Sequence, residues 1–291
     1  MNTIEKALNK KRTEPAETSN SKANEHGASA VSQNENEKEL SSTSLGSPFD
    51  VAIDTDMLER SGFVSVDSTR RLINEEYRAI KRKLLQNAFG SISKTLNNAN
   101  IIMVSSARPN EGKTFTAVNL ALSIAAEKDK TVLLVDADVL RPNVAKTLGI
   151  NFETGLIDYL LDEKLDIADV MYKTNVDKLR IIPAGKSHHL STELLASEKM
   201  QRTIDEIATR YPDRVVIIDT PPLIGINETA ILTNFAGQAV VVCEEGKARL
   251  TDINRAVSLL NPEMAIGFVV NKAIVSVDDD TGYYGYYHTK S

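Results

Sequence analysis

The chain has 291 residues, 42% of them hydrophobic and 25% charged, the balance of a soluble globular protein with one large domain or two small ones. Its formal net charge of −6 argues against a general phosphate-backbone binder, which needs a dominant basic face, so nucleic acid is not an expected partner. No apolar run approaches the ~18 residues of a membrane-spanning helix and the start, MNTIEKALNKKRTE, has no signal-peptide core, which makes cytoplasmic residence the expectation.

In chain order, residues 1–48 are rich in Ser, Asn, Glu and Ala with few bulky apolar side chains, and read as a disordered segment. A globular domain is expected over 49–275. It opens with a helix in which Leu72, Ile73, Tyr77, Ile80, Leu84 and Leu85 form one apolar stripe. Short apolar runs then follow at ANIIMVSS, TVLLVDAD, LRIIPAG, RVVIIDTPP, QAVVVCEE and AIGFVVNK. Most are separated by helical stretches such as TFTAVNLALSIAAEK, TELLASEKMQRTIDEIATRY and LTDINRAVSLL. This alternation predicts an α/β fold with a mostly parallel sheet covered by helices on both faces. The lone Cys243 lies in the run AVVVC and reads as a small buried hydrophobe. His188 and His189, in AGKSHHLSTE, read as polar loop residues.

Three strand ends carry chemistry. The first strand runs into Ala107, Arg108, Pro109, Asn110, Glu111, Gly112, Lys113, Thr114 and Phe115, a loop closing on Gly-Lys-Thr at the start of a helix. In a P-loop of this kind backbone N–H groups hold phosphate oxygens, the lysine reaches the β- and γ-phosphates and the hydroxyl ligates Mg²⁺. Ala107 stands where the first glycine of the motif is usual. The second strand delivers Asp136 and Asp138, two carboxylates that point the same way at the edge where open α/β sheets bind ligands. A later strand delivers Asp219 after an apolar run, as a Mg²⁺-holding Walker B strand does. Asn271 closes the last strand, where related nucleotide sites meet the adenine base.

The segment 276–291 reads as a flexible tail, and Tyr283, Tyr284, Tyr286 and Tyr287 put four of the chain's eight tyrosines into five consecutive positions. With ARPNEGKT, VLLVDADVLRP, VVIIDTPP and this cluster together, the sequence resembles the bacterial tyrosine autokinases, in the cytoplasmic type found with capsule and exopolysaccharide systems. The TIEKAL opening and INEEYRAIKRKLL are most similar to the exosortase-associated subgroup. The resemblance implies a P-loop nucleotide site for ATP and Mg²⁺ in which Lys113 binds phosphate, Thr114 and Asp138 hold the metal with support from Asp219, and Asp136 receives the tyrosine proton. It implies that the four tail tyrosines are the phosphoacceptors. It also implies a ring-like homo-oligomer through Glu75, Arg78 and Lys81, the last a lysine where the family's signature has arginine. As partners it implies a transmembrane chain-length regulator that recruits and activates the kinase at the inner face of the membrane, and a cognate tyrosine phosphatase. Two other readings compete: a partition- or septum-positioning ATPase switch, whose signature lysine would fall at Arg108, and a scaffold that binds ATP without transferring phosphate.

Overall fold

The structure, a computed structural model, describes residues 50–66 and 71–273. The segment 1–48 and the four tail tyrosines lie outside the described residues. Sixteen elements position the site: α1 (Thr55–Arg60), α2 (Leu72–Phe89), β1 (Ile101–Ser106), α3 (Lys113–Ala125), β2 (Thr131–Asp136), α4 (Val144–Leu148), α5 (Leu156–Leu161), β3 (Tyr172–Lys173), β4 (Leu179–Ile182), α6 (Ser191–Leu195), α7 (Glu198–Thr209), β5 (Arg214–Asp219), α8 (Asn227–Leu232), β6 (Gln238–Glu244), α9 (Leu250–Val257) and β7 (Ala265–Asn271).

The strands form one sheet in the order β3-β4-β2-β5-β1-β6-β7, parallel throughout except for the short β3, which pairs antiparallel with β4. Because successive side chains of a strand point to opposite faces, β1 and β5 feed two cores. Ile102, Val104, Val215 and Ile217 pack with Leu120, Ile124, Tyr77 and Leu84 from α3 and α2. Ile101, Met103, Val216 and Ile218 pack with Leu160, Met200, Ile204 and Leu232 from α5, α7 and α8. With both faces covered, the central strands β1, β5 and β6 read as unbroken apolar runs, and all six expected strands are present. Cys243 is buried in β6, and burial pushes its thiol pKa up.

Two expectations change in detail. The stretch read as one helix over residues 192–211 is two, because Ser197 accepts a hydrogen bond from Met200 N and starts α7 afresh after α6. The second concerns Lys81, placed by the resemblance on an assembly face. It is 6% exposed and points into the protein: its ammonium donates to the Ser123 carbonyl at 2.6 Å and pairs with Glu127 at 2.7 Å. The last turn of α3 exposes unpaired carbonyls, and a buried cation satisfies them. Glu75 and Arg78, one turn earlier on α2, pair with each other near the surface.

Candidate active site

The carboxyl ends of β1, β2 and β5, adjacent across the sheet, place all three motifs at one edge. Asp136 and Asp219 are direct partners in the register of β2 and β5. The loop after β1 is held from several sides. The Ser106 hydroxyl donates to the Arg108 carbonyl at 2.7 Å, and the Glu111 carboxylate accepts from Arg108 N at 2.7 Å. From the end of β7, Asn271 donates its amide to the Glu111 carbonyl at 2.9 Å and Lys272 donates to the Asn110 carbonyl at 2.8 Å. Two positions turn left-handed, Asn110 at φ 69° and Gly112 at φ 99°. A Cβ at Gly112 would also lie 1.9 Å from the Asn271 amide nitrogen and would displace the side chain that holds the Glu111 carbonyl. Ala107, buried just after β1, is not among the described residues of positive φ, so a methyl group is tolerated where the motif usually has glycine.

Six of the loop residues expected to contact nucleotide, Pro109, Asn110, Gly112, Lys113, Thr114 and Phe115, line an open cleft of about 920 Å³. Ala107, Arg108 and Glu111 do not. Arg108 turns outward, where Nε and Nη2 donate to the two carboxylate oxygens of Asp252 on α9 at 2.7 and 3.0 Å. Glu111 folds back on its own loop, and burial raises its pKa. Asn271 supports the loop from behind rather than facing the cleft, because its amide is engaged by Glu111. Phe63, which sequence reasoning missed, packs its ring 4.7 Å from Phe115 and forms part of the cleft wall. Lys146 on α4 and the pair Pro221 and Pro222 were missed as well. A basic residue eight positions beyond Asp138 was the only available signal for Lys146, and an irregular segment gives none for Phe63.

At the floor, charge is concentrated. Lys113 Nζ lies 2.6 Å from Asp138 Oδ2 and 4.0 Å from Asp219 Oδ1. The Thr114 hydroxyl donates to Asp219 Oδ2 at 2.7 Å. Asp138 Oδ1 accepts from Arg141 N at 3.1 Å. Asp136, expected to be the base, lies behind Asp138, 1% exposed and not on the cleft lining. Its oxygens accept from the backbone N–H groups of Asp138, Asn143 and Val144 at 3.1–3.2 Å, so it shapes the loop after β2, and Asp138 is the carboxylate that faces the cleft.

Burial, with the charge of Asp219 adding to it, raises the Asp136 pKa to about 8. Burial also raises that of Asp219 to about 6, against the opposing pull of Lys113 and Thr114. Burial opposes the charge of Lys113 too, but Asp219, Asp138 and Asp136 together outweigh it and raise its pKa. Three carboxylates thus face one ammonium, and Asp219 Oδ1 is buried without a hydrogen-bond donor. An orphaned carboxylate oxygen beside a hydroxyl, in a site short of positive charge, fits a divalent cation. Among the described residues no three His, Cys, Asp or Glu side chains form a metal cage of their own. Mg²⁺ takes one or two carboxylates and completes its shell with phosphates and water.

Residues 99–259, more than half of the chain, match the family AAA_31, described as an AAA domain. Tyrosine-protein kinase YwqD of Bacillus subtilis is 30% identical over 224 residues, 76% of this chain and 90% of that protein. Tyrosine-protein kinase wzc of Salmonella typhimurium is 32% identical over 192 residues, and there the match spans only 26% of the longer protein. Among solved structures, the kinase domain of the Escherichia coli tyrosine kinase ETK superposes with a TM-score of 0.59 at 26% identity, covering 70% of this chain and 78% of that one. The septum site-determining protein MinD of Pyrococcus horikoshii, solved with Mg-ADP, reaches a TM-score of 0.50 at 25% identity over 58% of this chain and 69% of that one. A P-loop edge built on Lys113, Thr114, Asp138 and Asp219, with these matches along its length, means that the chain belongs to the family of bacterial tyrosine-protein kinases built on an AAA-type domain.

Proposed function

We propose that this protein is an ATP-dependent protein-tyrosine autokinase that phosphorylates the C-terminal cluster Tyr283, Tyr284, Tyr286 and Tyr287 on a neighbouring subunit and so regulates exopolysaccharide synthesis and export. The observation that carries the reading is the convergence of Lys113, Thr114, Asp138 and Asp219 on the floor of one open cleft. Phosphoryl transfer asks a protein mainly to position the reactants and to neutralise charge on the group in flight. The backbone N–H groups of the loop and the start of α3 bind phosphate oxygens. Lys113 exchanges Asp138 for the β- and γ-phosphates. Thr114 and Asp219, with Asp138 beside them, would hold Mg²⁺, which would supply neutralising charge to the phosphate oxygens. A tyrosine hydroxyl is protonated at neutral pH, and Asp138, facing the cleft, accepts its proton as transfer proceeds. Asp136 fixes the loop that presents Asp138.

The twelve residues from Asn271 to Tyr283 span up to about 40 Å when extended, at ~3.3–3.6 Å each, so a tail reaches its own cleft or a neighbour's. A ring-like assembly through Glu75 and Arg78 brings a neighbour close, and a transmembrane regulator and a tyrosine phosphatase set the level of phosphorylation. Phosphates added beside Asp278, Asp279 and Asp280 accumulate like charge and expel the tail. The test of transfer between subunits is a mixture of two inactive-by-half proteins, Lys113→Met with an intact tail and a fourfold Tyr→Phe tail on an intact site. Phosphotyrosine on the Lys113→Met chain supports the reading. Its absence, while the wild type labels itself, restricts transfer to one chain.

A further inference from the structure

At the opposite edge of the sheet from the nucleotide cleft, a cavity of about 340 Å³ opens where β2, β4 and β5 begin. Six-residue strands separate the two sites by about 20 Å at ~3.3 Å per residue. The cavity is lined by Thr131 at the first position of β2, by Arg214 at the first position of β5, and by Lys173, Lys178 and Arg180 around β3 and β4. Its acidic residues are Asp177 and Asp213, so four cations face two carboxylates.

Arg214 is the anomalous group. It is 6% exposed, and among the described residues its guanidinium has no hydrogen bond or ion pair to a carboxylate or carbonyl; its one close partner is the Tyr211 ring, 3.9 Å away. Burial lowers its pKa and outweighs the charges of Tyr211 and Asp213, which raise it, while Arg180 and Arg210 lower it further. A buried guanidinium with no carboxylate in contact is costly, and an apolar residue would fill the start of a central strand without that cost. The cavity wall holds a second unsatisfied donor, the Thr131 hydroxyl, which is buried without a partner. Lys178 gives its ammonium to the carbonyls of Glu127 and Lys128, contacts that leave its charge uncancelled. The Arg214 guanidinium lies 3.9 Å from the Tyr211 ring centre and its N–H groups have no acceptor among the described residues, so they can offer a planar fork to an oxyanion, the way in which arginine binds phosphate.

We infer that this cavity is a second anion site, separate from the P-loop, that binds a phosphate-class oxyanion through Arg214 and Arg180 with support from Lys173 and Lys178. The shared chemistry is a phosphate dianion, free or as an ester. The chain contains no tryptophan, so Tyr211→Trp in the full-length protein gives a single fluorescent reporter that keeps the ring under Arg214. Titration with inorganic phosphate and, separately, with phosphotyrosine is expected to give a saturable change with a midpoint below about 10 mM for at least one of them. The response is expected to persist in saturating ADP, to be absent with chloride at matched ionic strength, and to weaken about tenfold or more in Arg214→Gln, as loss of a charged hydrogen bond requires. Tighter binding of phosphotyrosine than of phosphate identifies an ester as the ligand; the reverse order identifies the free ion. Should Arg214→Gln fail to fold, Arg180→Gln, at an exposed position, is expected to weaken binding severalfold in a protein of unchanged circular dichroism. A flat titration with both ligands, competition by ADP, or an undiminished response in a folded Arg214→Gln protein overturns the inference.

Discussion

Replacing Lys113 by Met removes the ammonium that faces three buried carboxylates, and the structure sets how much this costs and at what pH. Lys113 is 11% exposed in its side chain, Asp138 4% and Asp219 0%, so the contact is desolvated and breaking it at pH 8 is expected to cost about 3–5 kcal/mol. For a domain of this size that lowers the melting temperature by about 6–20 °C. The sign of the pH dependence follows from the shifts. Asp219 and Asp136 have folded pKa values of about 6 and about 8, above the ordinary 3.8, so the folded form binds more protons and the stability they contribute is lost as pH rises through those values. Without Lys113 both values rise further, and the deficit of the variant grows with pH. At pH 5 the two carboxyls are protonated, and the expected deficit falls to about 1–3 kcal/mol, the worth of a charged hydrogen bond to Asp138. The assay is thermal unfolding of wild type and Lys113→Met at pH 5 and pH 8 without magnesium or nucleotide. Equal deficits at the two pH values, or none, refute the description of the floor as carboxylates held by one cation.

Asp136→Asn keeps an acceptor for the loop amides but removes a carboxyl that resists ionisation; its urea midpoint is expected to exceed that of the wild type at pH 8 and to match it near pH 4, where both side chains are neutral. Gly112→Ala places a Cβ against Asn271 at a left-handed position, and with ~1–3 kcal/mol of strain per such conformation nucleotide affinity is expected to fall about tenfold or more in a binding titration. Lys81→Met leaves the Ser123 carbonyl at the end of α3 without its donor, and a loss of about 1–3 kcal/mol is expected by denaturant unfolding, with the mass of the assembly unchanged by light scattering.

The sheet was legible in the amino-acid order because β1, β5 and β6 are buried on both faces and read as apolar runs. The site was legible for the same reason: the β1 loop and the carboxylates of β2 and β5 are set by strand ends and need no long-range information. Side chains whose role depends on a distant partner were not. Lys81 sits in a run of charges that looks solvated until α3 is placed against it, and Arg108 belongs to the loop in sequence but to Asp252 in space. The ranking of Asp136 and Asp138 turned on which of two neighbouring carboxylates the loop amides occupy. Phe63 and the two-residue β3 lie in segments too short to show a period.

The central claim is that a P-loop floor built on Lys113 passes phosphate to the C-terminal tyrosines. Mass-spectrometric mapping of the purified protein after incubation with magnesium and ATP is the decisive measurement. Phosphate is expected on one or more of Tyr283, Tyr284, Tyr286 and Tyr287 in the wild type, reduced at least ~100-fold in Lys113→Met. Hydrolysis of ATP with those four tyrosines unmodified contradicts it and leaves a nucleotide-driven switch.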